Sequence, residues 1–171
     1  MAFNNFFNPD FYREPEKTDS LLGICDPGGE DCAFTTNDVS CTDKWCATIH
    51  NPKKRTLRFV AIDKNMNIRK ANGDLESTCD GMIYMKSERD VFFVELKDYH
   101  TGGALSEALK QLRNTILIFL SLHRYDSYHD RRAYICNPVR PHFASSYRQL
   151  SSEFRQKYHF RLYPQADIVI D

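Results

Sequence analysis

An α/β protein built on a mixed sheet is the fold class this sequence predicts, and three observations carry the prediction. Two runs rich in Val, Ile, Phe, Tyr and Met, residues 79–85 and 91–97, flank the polar interval 86–90 and read as an antiparallel hairpin. In residues 103–123, Ala104, Leu105, Ala108, Leu109, Leu112, Ile116, Phe119 and Leu120 recur at spacings of three and four, the signature of a helix with one wide apolar face. A further apolar run, 132–138, follows that helix and is ended by Pro138. A helical crossover between two strands permits parallel pairing, so a sheet with antiparallel strands first and a parallel strand after them is expected.

The remaining elements are predicted in chain order. Asn8 as N-cap and Pro9 at the first helical position predict a helix or helical turn over 8–22, with Pro15 limiting its regularity. Residues 23–51 are rich in Asp, Gly, Thr, Asn and Ser and read as an irregular β region with a turn at Pro27-Gly28-Gly29. Its best strand candidate runs from Trp45 to Ile49. Residues 57–63 alternate Leu57, Phe59 and Ala61 on one face with Val60 and Ile62 on the other, as a central strand does. Asn72-Gly73-Asp74 marks a turn before the hairpin, and Thr101 is placed to cap the long helix. A second amphipathic helix is expected over 144–158 and a closing strand over 166–170.

With 171 residues the chain is long enough to bury a core without cross-links, and one domain, 1–171 with its core at about 55–140, is expected. Lys plus Arg and Asp plus Glu both number 23, so no global charge draws the chain to nucleic acid or to a membrane surface, and any polyanion site must be local. No apolar run approaches the ~20 residues of a spanning helix. The first residues lack the basic-then-apolar order of a signal peptide, which makes the cytoplasm the expected location and no membrane the expected partner. The six cysteines then read as thiols. Cys25, Cys32, Cys41 and Cys46 cluster, but their C-x6-C-x8-C-x4-C spacing has none of the C-x2-C knuckles of a zinc site, which leaves ordinary loop and core cysteines as the better reading.

The chemistry concentrates in the hairpin. Asp80 opens its first strand, and Glu95 and Lys97 stand near the end of its second, so antiparallel pairing brings all three to one end of the sheet. Glu95 and Lys97, two apart on a strand, share a face. Carboxylate oxygens are the preferred ligands of Mg2+ and Mn2+, and one or two are enough where water and phosphate oxygens complete the shell. A lysine beside them suits an attacking water or the charge that builds on a phosphoryl group in its transition state. In the bland alternative Glu95 and Lys97 merely pair at the sheet end and Asp80 caps a turn.

Asp80, then Glu95-x-Lys97 on the next strand, then a helix carrying Gln111, resembles the PD-(D/E)XK nuclease superfamily, the restriction-endonuclease-like fold. The resemblance covers the middle of the chain and implies a helix, a three-stranded antiparallel meander, a helix and a further parallel strand, with a mixed central sheet flanked by helices. It implies catalytic roles for Asp80, Glu95, Lys97 and Gln111, with Asp80 and Glu95 as ligands of Mg2+ (or Mn2+), Lys97 at the water or transition state and Gln111 in support. Cys79 stands where the family has its nominal proline. Glu14 or Glu16 is a candidate for the glutamate that many members carry on the first helix.

The activity implied is metal-dependent hydrolysis of phosphodiester bonds in nucleic acid, DNA foremost, with a homodimer or a protein partner compatible with so small a domain. Zero net charge favours the alternative of a catalytically silent module on the same fold that binds or inhibits a partner. Tyr99 and His100, just past the motif, and Lys53, Lys54, Arg55, Arg131, Arg132, Arg140, Arg148 and Arg155 are candidates for phosphate contact, or for a solvated surface balanced by nearby acids.

Overall fold

A computed structural model describes residues 5–97, 103–137 and 147–171. Thr101, Tyr99, His100, Pro138 and Arg140, each singled out above, lie outside the described residues. The described residues form two mixed sheets, two α-helices and three short 3-10 helices.

The meander is the part that places the chemistry. Strand β4 (Arg58–Ala61) pairs antiparallel with β5 (Gly81–Met85), which pairs antiparallel with β6 (Asp90–Leu96). Helix α1 (Ala104–Leu122) then carries the chain across to β7 (Arg131–Cys136), parallel to β6. Helix α2 (Tyr147–Tyr158) leads to β8 (Arg161–Tyr163), parallel to β7, which completes a five-stranded sheet in the order β4-β5-β6-β7-β8. All seven residues of β6 are buried, as befits the middle strand of a sheet covered on both sides.

Side-chain alternation along these strands sorts two cores. Val60, Met82, Val91, Phe93, Ala133 and Ile135 face α1 and α2, where they meet Ala108, Leu112, Ile116, Phe119 and Phe154. Phe59, Ile83, Met85, Phe92, Val94 and Tyr134 point the other way. Ile116, Phe119 and Leu112 are fully buried, each such side chain contributing roughly 1.5–3 kcal/mol of hydrophobic stabilisation. The expected face assignment of Phe59 and Ala61 against Val60 and Ile62 holds.

Among the described residues no α-helix covers the face away from α1 and α2, which corrects the expectation of a sheet flanked by helices. That face is covered by a second sheet in the order β2-β1-β3-β9, formed by β1 (Leu21–Cys25), β2 (Phe34–Thr36), β3 (Ala47–His50) and β9 (Asp167–Val169). Leu22, Ile24, Ala47, Ile49 and Ile168 from this sheet interlock with Phe59, Ile83, Phe92 and Val94 from the other. Residues 23–51, read as an irregular β region, supply β2, β3 and the end of β1, and the candidate strand from Trp45 to Ile49 is realised as β3. The strands are three to five residues long and carry threonines and a histidine among their apolar residues.

Of the helix or helical turn expected over 8–22, only the turn forms. Asn8 does act as an N-cap, its side chain accepting from the Asp10 N–H, and Pro9 does sit at the first position, but a single 3-10 turn, Pro9–Phe11, is all that follows. Pro15 can give no N–H to a helix, and the chain instead runs extended, with Lys17 bridging to Leu57 and Leu21 entering β1. The aromatic residues before it, Phe6 and Phe7, fold under α1 against Phe119 and His123. Among the described residues no helix is long and apolar enough to cross a membrane.

Two glycines let the layers close. A Cβ on Gly81 would lie 2.5 Å from the Phe59 ring, and one on Gly23 would lie 2.1 Å from the ring of Trp45, the only tryptophan of the chain. Trp45 is itself buried, so its indole has little room to retreat. Gly23→Ala is therefore expected to destabilise the fold by about 1–3 kcal/mol through overpacking. Urea unfolding followed by Trp45 fluorescence measures it, and an unchanged midpoint would show that the indole is not held against β1.

Candidate active site

The strand alternation that builds the helix-side core also aims the acids. Positions 91, 93, 95 and 97 of β6 and its extension face α1, as do 80, 82 and 84 on the neighbouring strand, so Asp80, Glu95 and Lys97 emerge on one face at one end of the sheet. Gly81 pairs with Val94, which brings Asp80 beside Glu95. The Leu96 N–H donates to Asp80 Oδ2 at 2.6 Å, tying the aspartate across to the strand that carries the glutamate.

Glu95 is 1% exposed. One carboxylate oxygen, Oε1, lies 3.0 Å from Lys97 Nζ, and the other, Oε2, is buried without a hydrogen-bond partner. Burial first, and the charge of Asp80 second, push the Glu95 carboxyl well above the usual range, while Lys97 pulls the other way. Asp80 rises to about 6, chiefly through burial, with Asp26 and Asp63 adding to the rise and the Leu96 N–H and Lys97 opposing it. Two acids whose charged forms are disfavoured, one of them with an unpartnered buried oxygen, are held together at a cost that the Leu96 N–H and Lys97 offset only in part.

Gln111 reaches the backbone that leads to Asp80 rather than the carboxylates. Its Nε2 donates to the Thr78 carbonyl at 3.1 Å and its Oε1 is buried without a partner. Two neighbours on α1 that the sequence reading passed over join it there, Asn114 and Thr115. A signal was available for Thr115, a polar residue set among Leu112, Ile116 and Phe119 on the apolar face. Asp63 was also missed as a site residue. The chain past β4 still runs alongside the chain before β5, with Ile62 N–H donating to Asp80 O and Asp63 N–H to Cys79 O, which keeps Asp63 close to both acids. It ends an apolar strand, the same pattern that singled out Glu95. A cleft of about 190 Å3, lined by Asp63, Lys64, Asn67, Glu76 and Thr78 among others, opens next to it.

Other candidates lie elsewhere. The Glu14 carboxylate accepts from Thr35 N–H and Oγ1, and Glu16 pairs with Arg58 at 3.3 Å. Arg58 is paired with Tyr84, at the far end of β5 from Asp80, so neither glutamate joins the site. Arg131 and Arg132 open β7 beside Val91 and Phe92, again at the far end. Arg131 donates to the carbonyls of Tyr125, Tyr128 and His159, and Arg132 is bound to Asp130 and to the Val169 carbonyl, so both are spent on holding the fold. Arg55 faces Asp90 at 3.9 Å.

Among the described residues no three His, Cys, Asp or Glu side chains come together as a group able to hold a metal, those of Cys25, Cys32, Cys41 and Cys46 included. The candidate for Mg2+ is the pair Asp80 and Glu95, two hard oxygen donors of which Glu95 Oε2 is buried without a hydrogen-bond partner, and this donor set fits a cation that fills its shell with water and phosphate oxygens. Compared with family models, curated proteins and solved structures, the chain matches none.

The pH dependence of stability follows from Asp80. An unfolded aspartate loses its proton near ~3.9, whereas the folded one keeps it to about 6, so the folded chain binds the extra proton between those values and stability falls as pH rises through that window. Asp80→Asn is expected to raise stability by about 2 kcal/mol above pH 6 and to give no gain near pH 4. Urea denaturation of both proteins at several pH values reads this directly, and an equal effect at both ends of the range would contradict it.

Proposed function

We propose that this chain is a metal-dependent nuclease with a restriction-endonuclease-like core, hydrolysing phosphodiester bonds of nucleic acid, DNA foremost. The observation that carries the reading is the Glu95 carboxylate, buried at the end of the central strand with one oxygen on Lys97 and the other unpartnered, beside the raised carboxyl of Asp80. A purely structural ion pair does not call for a second acid next to it. The order of elements agrees, since a three-stranded antiparallel meander, a helix and a parallel strand follow one another as they do in that superfamily.

Asp80 and Glu95 would hold Mg2+ or Mn2+, which when bound lowers the pKa of a water and polarises the phosphoryl group. The chain's own residues supply the rest. Lys97 offsets the two acids while no cation is present, and its ammonium stands where negative charge grows on the phosphate as water attacks and the P–O bond to the leaving oxygen breaks. The Leu96 N–H fixes one oxygen of Asp80, leaving the other for the cation. Gln111 holds the backbone at Thr78. Because Asp80 keeps its proton to about pH 6 and Glu95 is raised as well, protons compete with the cation, and activity belongs to neutral and alkaline pH.

A silent binding module on the same fold is favoured by the zero net charge and by the internal use of Arg131 and Arg132. Incubation with plasmid and single-stranded DNA in Mg2+, Mn2+ or EDTA separates the two readings. Cleavage is expected with either cation and not with EDTA, to drop at least 100-fold in Glu95→Ala and Lys97→Ala, on the scale of a lost charge-stabilising group, and to fall as pH drops through about 6. Equal behaviour of wild type and both variants would leave the binding module.

A further inference from the structure

The segment that delivers Asp80 is fastened to α1 residue by residue. Asn114 Nδ2 donates to Glu76 Oε2 at 2.9 Å and to the Ser77 carbonyl at 2.7 Å. Gln111 Nε2 donates to the Thr78 carbonyl. Thr115 Oγ1 accepts the Cys79 N–H at 2.8 Å and donates its own proton to the Gln111 carbonyl at 2.9 Å. Positions 111, 114 and 115 share one face of a helix, so a single surface of α1 holds residues 76–79, four in a row. The end of this stretch and Asp80 itself are also held by the residues that follow β4, through Asp63 N–H to Cys79 O and Ile62 N–H to Asp80 O.

The burial is uneven, and that points to the residue that matters. Thr115 is 0% exposed and Cys79 is 0% exposed, while Asn114 is only partly buried. A hydroxyl placed in an otherwise apolar helix face is costly unless it is satisfied, and Thr115 is satisfied in both directions, accepting from the Cys79 N–H and donating to the Gln111 carbonyl of its own helix. Its acceptor role needs an N–H at position 79, which Cys79 has and a proline would lack.

We infer that Thr115, backed by Asn114, is a positioning residue of the cation site: it sets the Thr78–Cys79 peptide just ahead of Asp80, and with it the separation of the Asp80 and Glu95 carboxylates, without touching cation or substrate. This rests on the nuclease reading above. Groups that orient metal ligands from behind characteristically change metal affinity by 10–100-fold when removed. Thr115→Val keeps shape and loses the hydroxyl, whereas Thr115→Ser keeps the hydroxyl and loses a methyl.

The test measures Mn2+ binding to the full chain by calorimetry, together with the Mg2+ dependence of DNA cleavage. Thr115→Val is expected to bind Mn2+ roughly 10-fold more weakly and to need correspondingly more Mg2+ for half-maximal rate, with KM for DNA unchanged. Thr115→Ser should restore near wild-type affinity, which a loss of packing would not do. Asn114→Ala, at a partly exposed site, should weaken Mn2+ binding in the same direction and serves if the valine variant does not fold. Wild-type Mn2+ affinity in Thr115→Val and Asn114→Ala, or a serine variant as weak as the valine one, overturns the positioning role while leaving the nuclease reading intact. A wild-type chain that binds no Mn2+ and cuts no DNA overturns the nuclease reading, and the positioning role with it.

Discussion

A carboxylate buried at the end of the central strand is the constraint on which the rest of the structure turns. Glu95 sits on a strand whose every residue is buried, so its charge has no water to lean on and only one of its oxygens has found a partner, Lys97. Such a group is tolerated only when its surroundings over-determine its place. Here they do. Strands β5 and β7 flank it through continuous ladders, the Leu96 N–H ties Asp80 to the same strand, and α1 grips the segment in front of Asp80.

The two layers around the sheet divide the work. The helical side carries the site, because the residues of β5 and β6 that face α1 include Asp80, Glu95 and Lys97 as well as the apolar side chains that seat the helix. The other side is closed by the four-stranded sheet, which gives the central strands their second buried face. That sheet is drawn from both ends of the chain, with β9 adding in parallel to β3. Charge that could have formed a basic surface is instead consumed at the far edge, where Asp130 takes Arg132 and Arg161 together. The site and the reinforced edge thus stand at opposite ends of β6 and β7.

Cys79, the residue before Asp80, shows what the backbone contributes at this point. On the nuclease reading proposed above, the nominal residue here is a proline. In the folded chain the Cys79 N–H is the donor that Thr115 accepts, and the thiol is buried with its pKa pushed well up by burial, so it is packing and not chemistry that the side chain supplies. The backbone at this position does the more important task.

What the sequence by itself determined is local. Alternation along 57–63, the paired runs around 86–90 and the helical period of 103–123 fix β4, β5, β6 and α1 because side-chain periodicity is a property of the chain. The E-x-K spacing places Glu95 and Lys97 on one face for the same reason. What only the tertiary structure decided is where distant backbone hydrogen bonds go. It ended the turn at Phe11 and ran the chain after it extended, because Lys17 had a partner at Leu57, and made 21–50 part of a covering sheet, because apolar faces of both sheets had to meet. It also gave Asn114 and Thr115 their role, since a helix side chain and a backbone amide 36 residues away become neighbours only when the core closes.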